Sequence, residues 1–184
     1  MKHYSFIIKQ QGAALAVSLI MLLVLTLLGI AGMQSTIMEE KMAGNMRDKA
    51  IAFQASESGL INGERHSQGS LSLISPFLAN CTGGLCLPSS TAIPVWNDTT
   101  KVNWATSTNT FVYGGIVAAT NLGLVSAQPQ YIVELLPEPP KTSGQSLGLG
   151  KGTPLSTVEV FRVTSRGIGG STNAPVMVQS VYKK

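Results

Sequence analysis

Gln11 to Arg65 reads QGAALAVSLIMLLVLTLLGIAGMQSTIMEEKMAGNMRDKAIAFQASESGLINGER, with no proline anywhere in the stretch. Its first part, Ala13 to Met33, is 21 residues long and carries no charged side chain. At about 1.5 Å per residue, a helix of that length reaches across the roughly 30 Å hydrocarbon core of a bilayer. The stretch therefore predicts one long helix, lipid-soluble in its first half and amphipathic in its second. Everything else in the chain has to be arranged around it.

In front of this helix, Met1 to Gly12 carries Lys2, His3 and Lys9 and no acidic residue. Basic residues ahead of a span hold that end in the cytoplasm, so the bulk of the chain is expected outside. An ordinary secretory signal fits poorly. Its apolar region is usually about 7–15 residues, and no small-x-small cleavage site follows here. Gly29 and Gly32 lie near the outer end of the run. Each costs about 1 kcal/mol of helix stability relative to alanine. They read either as tolerated membrane glycines or as a place where the helix can stretch locally.

From Met38 onward the pattern changes. At 100° per residue, Met42, Met46, Phe53 and Leu60 fall in a narrow arc, with Met38 and Ala50 beside it. This stripe is expected to pack on the protein's own head; the alternative reading has part of it also meet neighbouring copies, where methionine suits an adaptable surface. Gly59, Gly63 and the polar GERHSQGS place the helix end between Leu60 and His66.

The remainder reads as mainly β. Strand-like runs occur at VNWAT and FVYGGIVAA, and stronger ones at QYIVELL, TVEVFRVTSR and APVMVQSVY. Tyr131, Val133 and Leu135 alternate with Ile132 and Glu134, as in a half-buried strand. GIGGSTN supplies the turn that would join the last two runs as a hairpin. SLSLISPFL suggests a helical turn, and PEPPKTSGQSLGLGKGTP a long exposed loop. The expected fold class is α+β: a long N-terminal helix packed on an antiparallel sheet of about four strands. The expected divisions are a leader at 1–12, a membrane part at 13–33, an amphipathic part at 34–65 and a globular head at 66–184.

A length of 184 residues allows one domain beyond the membrane segment. Charged residues make up only 12% of the chain, largely because of the apolar run. The net charge is +4, but without Lys2 and Lys9 only 11 basic residues face 9 acidic ones, and they are scattered. No basic cluster with interleaved aromatics is present, which argues against nucleic acid as a partner. Cys81 and Cys86 are the only cysteines, separated by TGGL. Beyond a membrane span they meet an oxidising compartment, so a disulfide is expected. A metal site lacks ligands, because His3 and His66 are the only histidines and neither is near the pair.

Catalytic constellations are missing. No GxSxG occurs, neither histidine has an identifiable partner, and Glu39 and Glu40 point about 100° apart on a helix. GLGKGT departs from a phosphate loop at Gln145 and Gly152. The sequence predicts no enzyme and no cofactor.

Three pieces of the chain resemble a known family. KQQG followed by AALAVSLIMLLVLTLLGIAGM looks like a type III signal, in which a short basic leader ends in glycine directly before the stem. MEEKMAGNMRDKAIAFQASESGL is similar to the EExMAGNxRDxxxAFQAAExAL block of PilX-type minor pilins of type IV pili. VFRVTSRGIGGSTNAPVMVQSVY looks like that family's terminal hairpin. The resemblance implies cleavage after Gly12 by prepilin peptidase and N-methylation of the new terminus at Ala13. It implies an inner-membrane subunit with its head in the periplasm, carried to the pilus and cell surface on assembly. Its implied partners are other minor pilins, the major pilin, the inner-membrane assembly platform and a tip-associated adhesin, in support of twitching motility and adhesion. One position departs from the usual pilin pattern. The fifth residue after cleavage is glutamate in most pilins and Val17 here. That glutamate neutralises a neighbour's terminal ammonium in the apolar filament core, where unpaired charge costs several kcal/mol. A valine there predicts a place at or near the tip. The alternatives are a type II secretion minor pseudopilin, or an anchored periplasmic protein with no filament role.

Overall fold

The computed structural model describes residues 13–71, 75–137 and 159–184. The leader, including Gly12, and most of the Pro/Gly/Ser loop with GLGKGT lie outside the described residues. Helix α1 spans Ala13–Gly69, 57 residues without a break. The chain divides into two compact units, one ending at Met46 and one beginning at Arg47.

In the first unit, every large apolar side chain from Leu15 to Met33 is exposed. The two hydroxyls in this run are satisfied within the helix. Ser18 Oγ donates to the Leu15 carbonyl at 2.9 Å and Thr26 Oγ1 to that of Leu23 at 2.8 Å. Such back-bonding removes the cost of placing a hydroxyl in an apolar medium. By length and composition α1 can cross a membrane.

The second unit is a five-stranded mixed sheet with the C-terminal part of α1 on one face. Its strands are β1 Leu85–Cys86, β2 Phe111–Val112, β3 Gln130–Leu136, β4 Val160–Ile168 and β5 Pro175–Lys183. β3, β4 and β5 form an antiparallel meander. On the other side of β3, β2 pairs antiparallel at its start and β1 pairs parallel further along. The short parallel β1 gave no sequence signal because two residues cannot display a period.

The face of α1 that meets the sheet is not the methionine-centred stripe. Ala52, Ala55, Ser56, Gly59, Asn62, Gly63, His66 and Ser67 are the buried residues of the helix. Phe53 is exposed, and of the predicted stripe only Leu60 packs against the sheet's apolar cluster. Small residues recur every three or four positions, which lets the backbone approach the strands closely. Bulky side chains on that face would hold helix and sheet apart. Gly59 and Gly63 therefore do not end the helix. It continues to Gly69, where Ser70 N–H and Ser70 Oγ both reach the His66 carbonyl.

β3 is buried on both faces rather than one. Tyr131 and Val133 join Leu71, Phe77, Leu85, Phe161 and Val163 under the helix. Ile132 joins Cys81, Cys86, Val95, Val102 and Trp104 on the opposite face. That second layer is the irregular segment between the cysteines and β2. VNWAT is not a strand. Val102 and Trp104 are buried, which mimics alternation, but Asn103 and Thr108 close a turn through reciprocal backbone bonds of 3.1 Å. FVYGGIVAA contributes only the two residues of β2, and Ser75 to Leu78 form no helical turn.

Cys81 and Cys86 are disulfide-bonded and both fully buried. Closing so short a loop removes roughly 2 kcal/mol of unfolded-chain entropy. Reduction, or paired Cys81→Ser and Cys86→Ser substitution, is expected to lower the unfolding free energy of the full chain by about that amount. Denaturant titration with and without reductant measures it.

Candidate assembly interface

Within the second unit, side chains converge where the helix meets the β4–β5 turn and on the second face of the sheet. Val17 lies exposed on α1 within a run that has no acidic residue before Glu39. Ala13 opens the described helix. Met42 and Met46, in the first unit, are 64% and 71% exposed. Phe53, in the second unit, is 47% exposed.

The start of the second unit is held by Asp48. Ser171 N–H donates to Asp48 Oδ1 at 3.1 Å, and Ser171 Oγ donates to Oδ2. These bonds, the side-chain one foremost, hold the Asp48 carboxyl below its ordinary pKa. They tie the β4–β5 turn to the helix. Asp48 belongs to the NMRDK string and Ser171 to GGST, so two of the stretches that carry the resemblance meet here.

Further along α1, buried His66 stacks edge-on against Phe111 with centroids 4.7 Å apart. Its Nδ1 lies 3.3 Å from the Tyr131 hydroxyl. We assign the imidazole proton to Nε2, so that Tyr131 donates to Nδ1. Burial pushes the Tyr131 pKa up and that of His66 below its ordinary 6.5, so both groups are neutral at pH 7. A depressed histidine pKa means the unfolded chain binds the proton more readily. Its contribution is complete above 6.5 and declines as pH falls through 6.5 toward the lower folded value. Stability is expected to fall between about pH 7 and pH 5. His66→Gln should flatten that slope when unfolding free energies are compared at the two pH values.

On the opposite face, Glu134 is completely buried and Arg162 clamps it. Arg162 Nε and Nη2 donate to its two carboxylate oxygens at 2.8 and 2.7 Å. The Trp96 ring covers the guanidinium at 4.6 Å, and the Trp96 carbonyl accepts Trp104 Nε1–H at 3.0 Å. This chain of contacts pins the disulfide-bearing layer to β3 and β4. Its role is structural. Among the described residues no group of three or more His, Cys, Asp or Glu side chains could hold a metal.

A long helix, apolar and exposed at its N-terminal end and buried by small residues against a meander at its C-terminal end, defines a type IV pilin-like protein. Two family profiles match the chain: PilX N-terminal over residues 11–60, and Type IV pilus assembly protein PilX C-term over residues 82–184. The chain belongs to the PilX family of type IV pilus assembly proteins. The family's members are structural, and membership supports a minor-pilin role among the other pilins of that machinery. No curated protein and no solved structure gives a significant match.

Proposed function

We propose that the protein is a minor pilin that primes type IV pilus assembly and sits at or near the filament tip. In this reading, residues 1–12 are removed by prepilin peptidase and Ala13 becomes the methylated terminus. Residues 13–33 first anchor the subunit in the inner membrane, with the head in the periplasm, and later enter the filament core. Met42, Met46 and Phe53 meet neighbouring stems, which accounts for their exposure. Partners are other minor pilins, the major pilin, the assembly platform and a tip-associated adhesin. Pilus-dependent motility and adhesion follow from the finished filament.

The observation that carries the reading is Val17 on an apolar helix whose first carboxylate is Glu39. Counted from Ala13, that carboxylate lies about 40 Å along the helix. A subunit built this way cannot neutralise a neighbour's ammonium within the core, and only at the tip is no earlier subunit waiting for that charge. Gold-labelled copies are expected at one end of isolated filaments. An even distribution along the shafts would remove the tip assignment.

A further inference from the structure

β5 is the last strand of the sheet, and nothing among the described residues covers its outer edge. Glu159 and Lys184 exchange both backbone hydrogen bonds, at 3.1 and 2.8 Å. In an antiparallel ladder such pairs alternate with non-bonded ones. Lys184, Tyr182, Ser180, Val178 and Val176 thus bond toward β4, and the N–H and C=O groups of Met177, Gln179, Val181 and Lys183 point outward. None of these eight groups has a partner among the described residues. The same four side chains are exposed on the sheet face away from α1. Met177 and Val181 are apolar, and Lys183 makes no ion pair among the described residues. Beside Met177, on β4, Arg166 likewise has no carboxylate partner among the described residues. PVMVQSVYKK contains two lysines and no acid.

We propose that this edge takes an extended segment of another polypeptide as an added strand. The segment carries carboxylates toward both ends of one face, one opposite Lys183 and one past Met177 toward Arg166 of β4, with apolar residues between them over Val181 and Met177. Four outward N–H groups and four carbonyls supply main-chain bonding, and Lys183 and Arg166 select an acidic partner over a basic one. The site lies apart from the exposed stem and does not depend on where in a filament the subunit stands.

The probe is the blocked peptide ETVTTTVTE, whose palindromic pattern presents the same face in either strand direction. It is added to the isotope-labelled full chain in detergent micelles, and amide hydrogen exchange is read residue by residue. The Met177, Gln179, Val181 and Lys183 amides are expected to exchange at least about tenfold more slowly with the peptide. KTVTTTVTK should bind at least about tenfold more weakly. Gln179→Pro removes an outward N–H and leaves the backbone ladder to β4 intact, at the cost of the Gln179 Nε2 bond to Thr164 Oγ1 alone, so the head should stay folded and the protection vanish. If that variant does not fold, Lys183→Glu with Arg166→Glu serves instead and should favour the basic peptide. Equal protection by both peptides, protection elsewhere, or no protection overturns the proposal. So does slow exchange at these four amides before peptide is added, which would mean that a second copy already covers the edge.

Discussion

Gly167→Val is expected to destabilise the head by about 3 kcal/mol, the upper end of what overpacking usually costs. A Cβ at Gly167 would be driven into the Ala52 carbonyl oxygen and the Ser56 backbone nitrogen of α1. No side chain stands there to rotate away, so β4 or the helix itself must shift. The gain in β propensity from valine, at most about 1 kcal/mol, does not offset this. Gly63→Ala is the informative comparison. Its Cβ would meet the Val163 side chain and the Tyr131 ring rather than backbone, so it should cost less. Denaturant unfolding of the full chain in detergent measures both. A Gly167→Val protein within about 0.5 kcal/mol of wild type would mean that the helix does not lie against β4 as described.

Glu134→Ala is expected to cost about 2–3 kcal/mol. Breaking a buried ion pair typically costs about 3–5 kcal/mol, and the 25% exposure of Arg162 reduces that through solvent screening. The loss comes less from the pair's attraction than from leaving a guanidinium unpaired on a covered face. Arg162→Met with Glu134→Leu should therefore recover most of the stability that Glu134→Ala loses. A double-mutant cycle reads this directly. If the two single substitutions prove additive, the clamp contributes no coupling and the second layer is held by Ile132 and the disulfide alone.

The large devices of this chain were legible in its residues. An uncharged apolar run followed by an amphipathic one predicts the long helix, because burial in lipid or against a sheet follows side-chain polarity. The three strongest strands were legible for the same reason, and they form the central meander. The helix face that meets the sheet was not legible from large apolar side chains. Close approach selects small residues, and Ala52, Ala55, Ser56, Gly59 and Gly63 carry little hydrophobic signal despite their spacing. The second layer was hidden too. Val95, Val102 and Trp104 reach Ile132 from irregular backbone, which has no period to detect. Glu134 looked solvent-facing because a carboxylate usually is, and only its pairing with Arg162 across the ladder makes its burial tolerable. Asp48 and Ser171 stand 123 positions apart, and no local pattern joins them.

The central claim, that this chain is processed after Gly12 and built into a filament, is tested most directly by mass spectrometry of sheared surface filaments. The account predicts an N-terminal peptide that begins at Ala13, carries one methyl group on its amine, and disappears when Gly12 is replaced by aspartate. A chain that is absent from the sheared fraction, and found only in the membrane with residues 1–12 still attached, would contradict it.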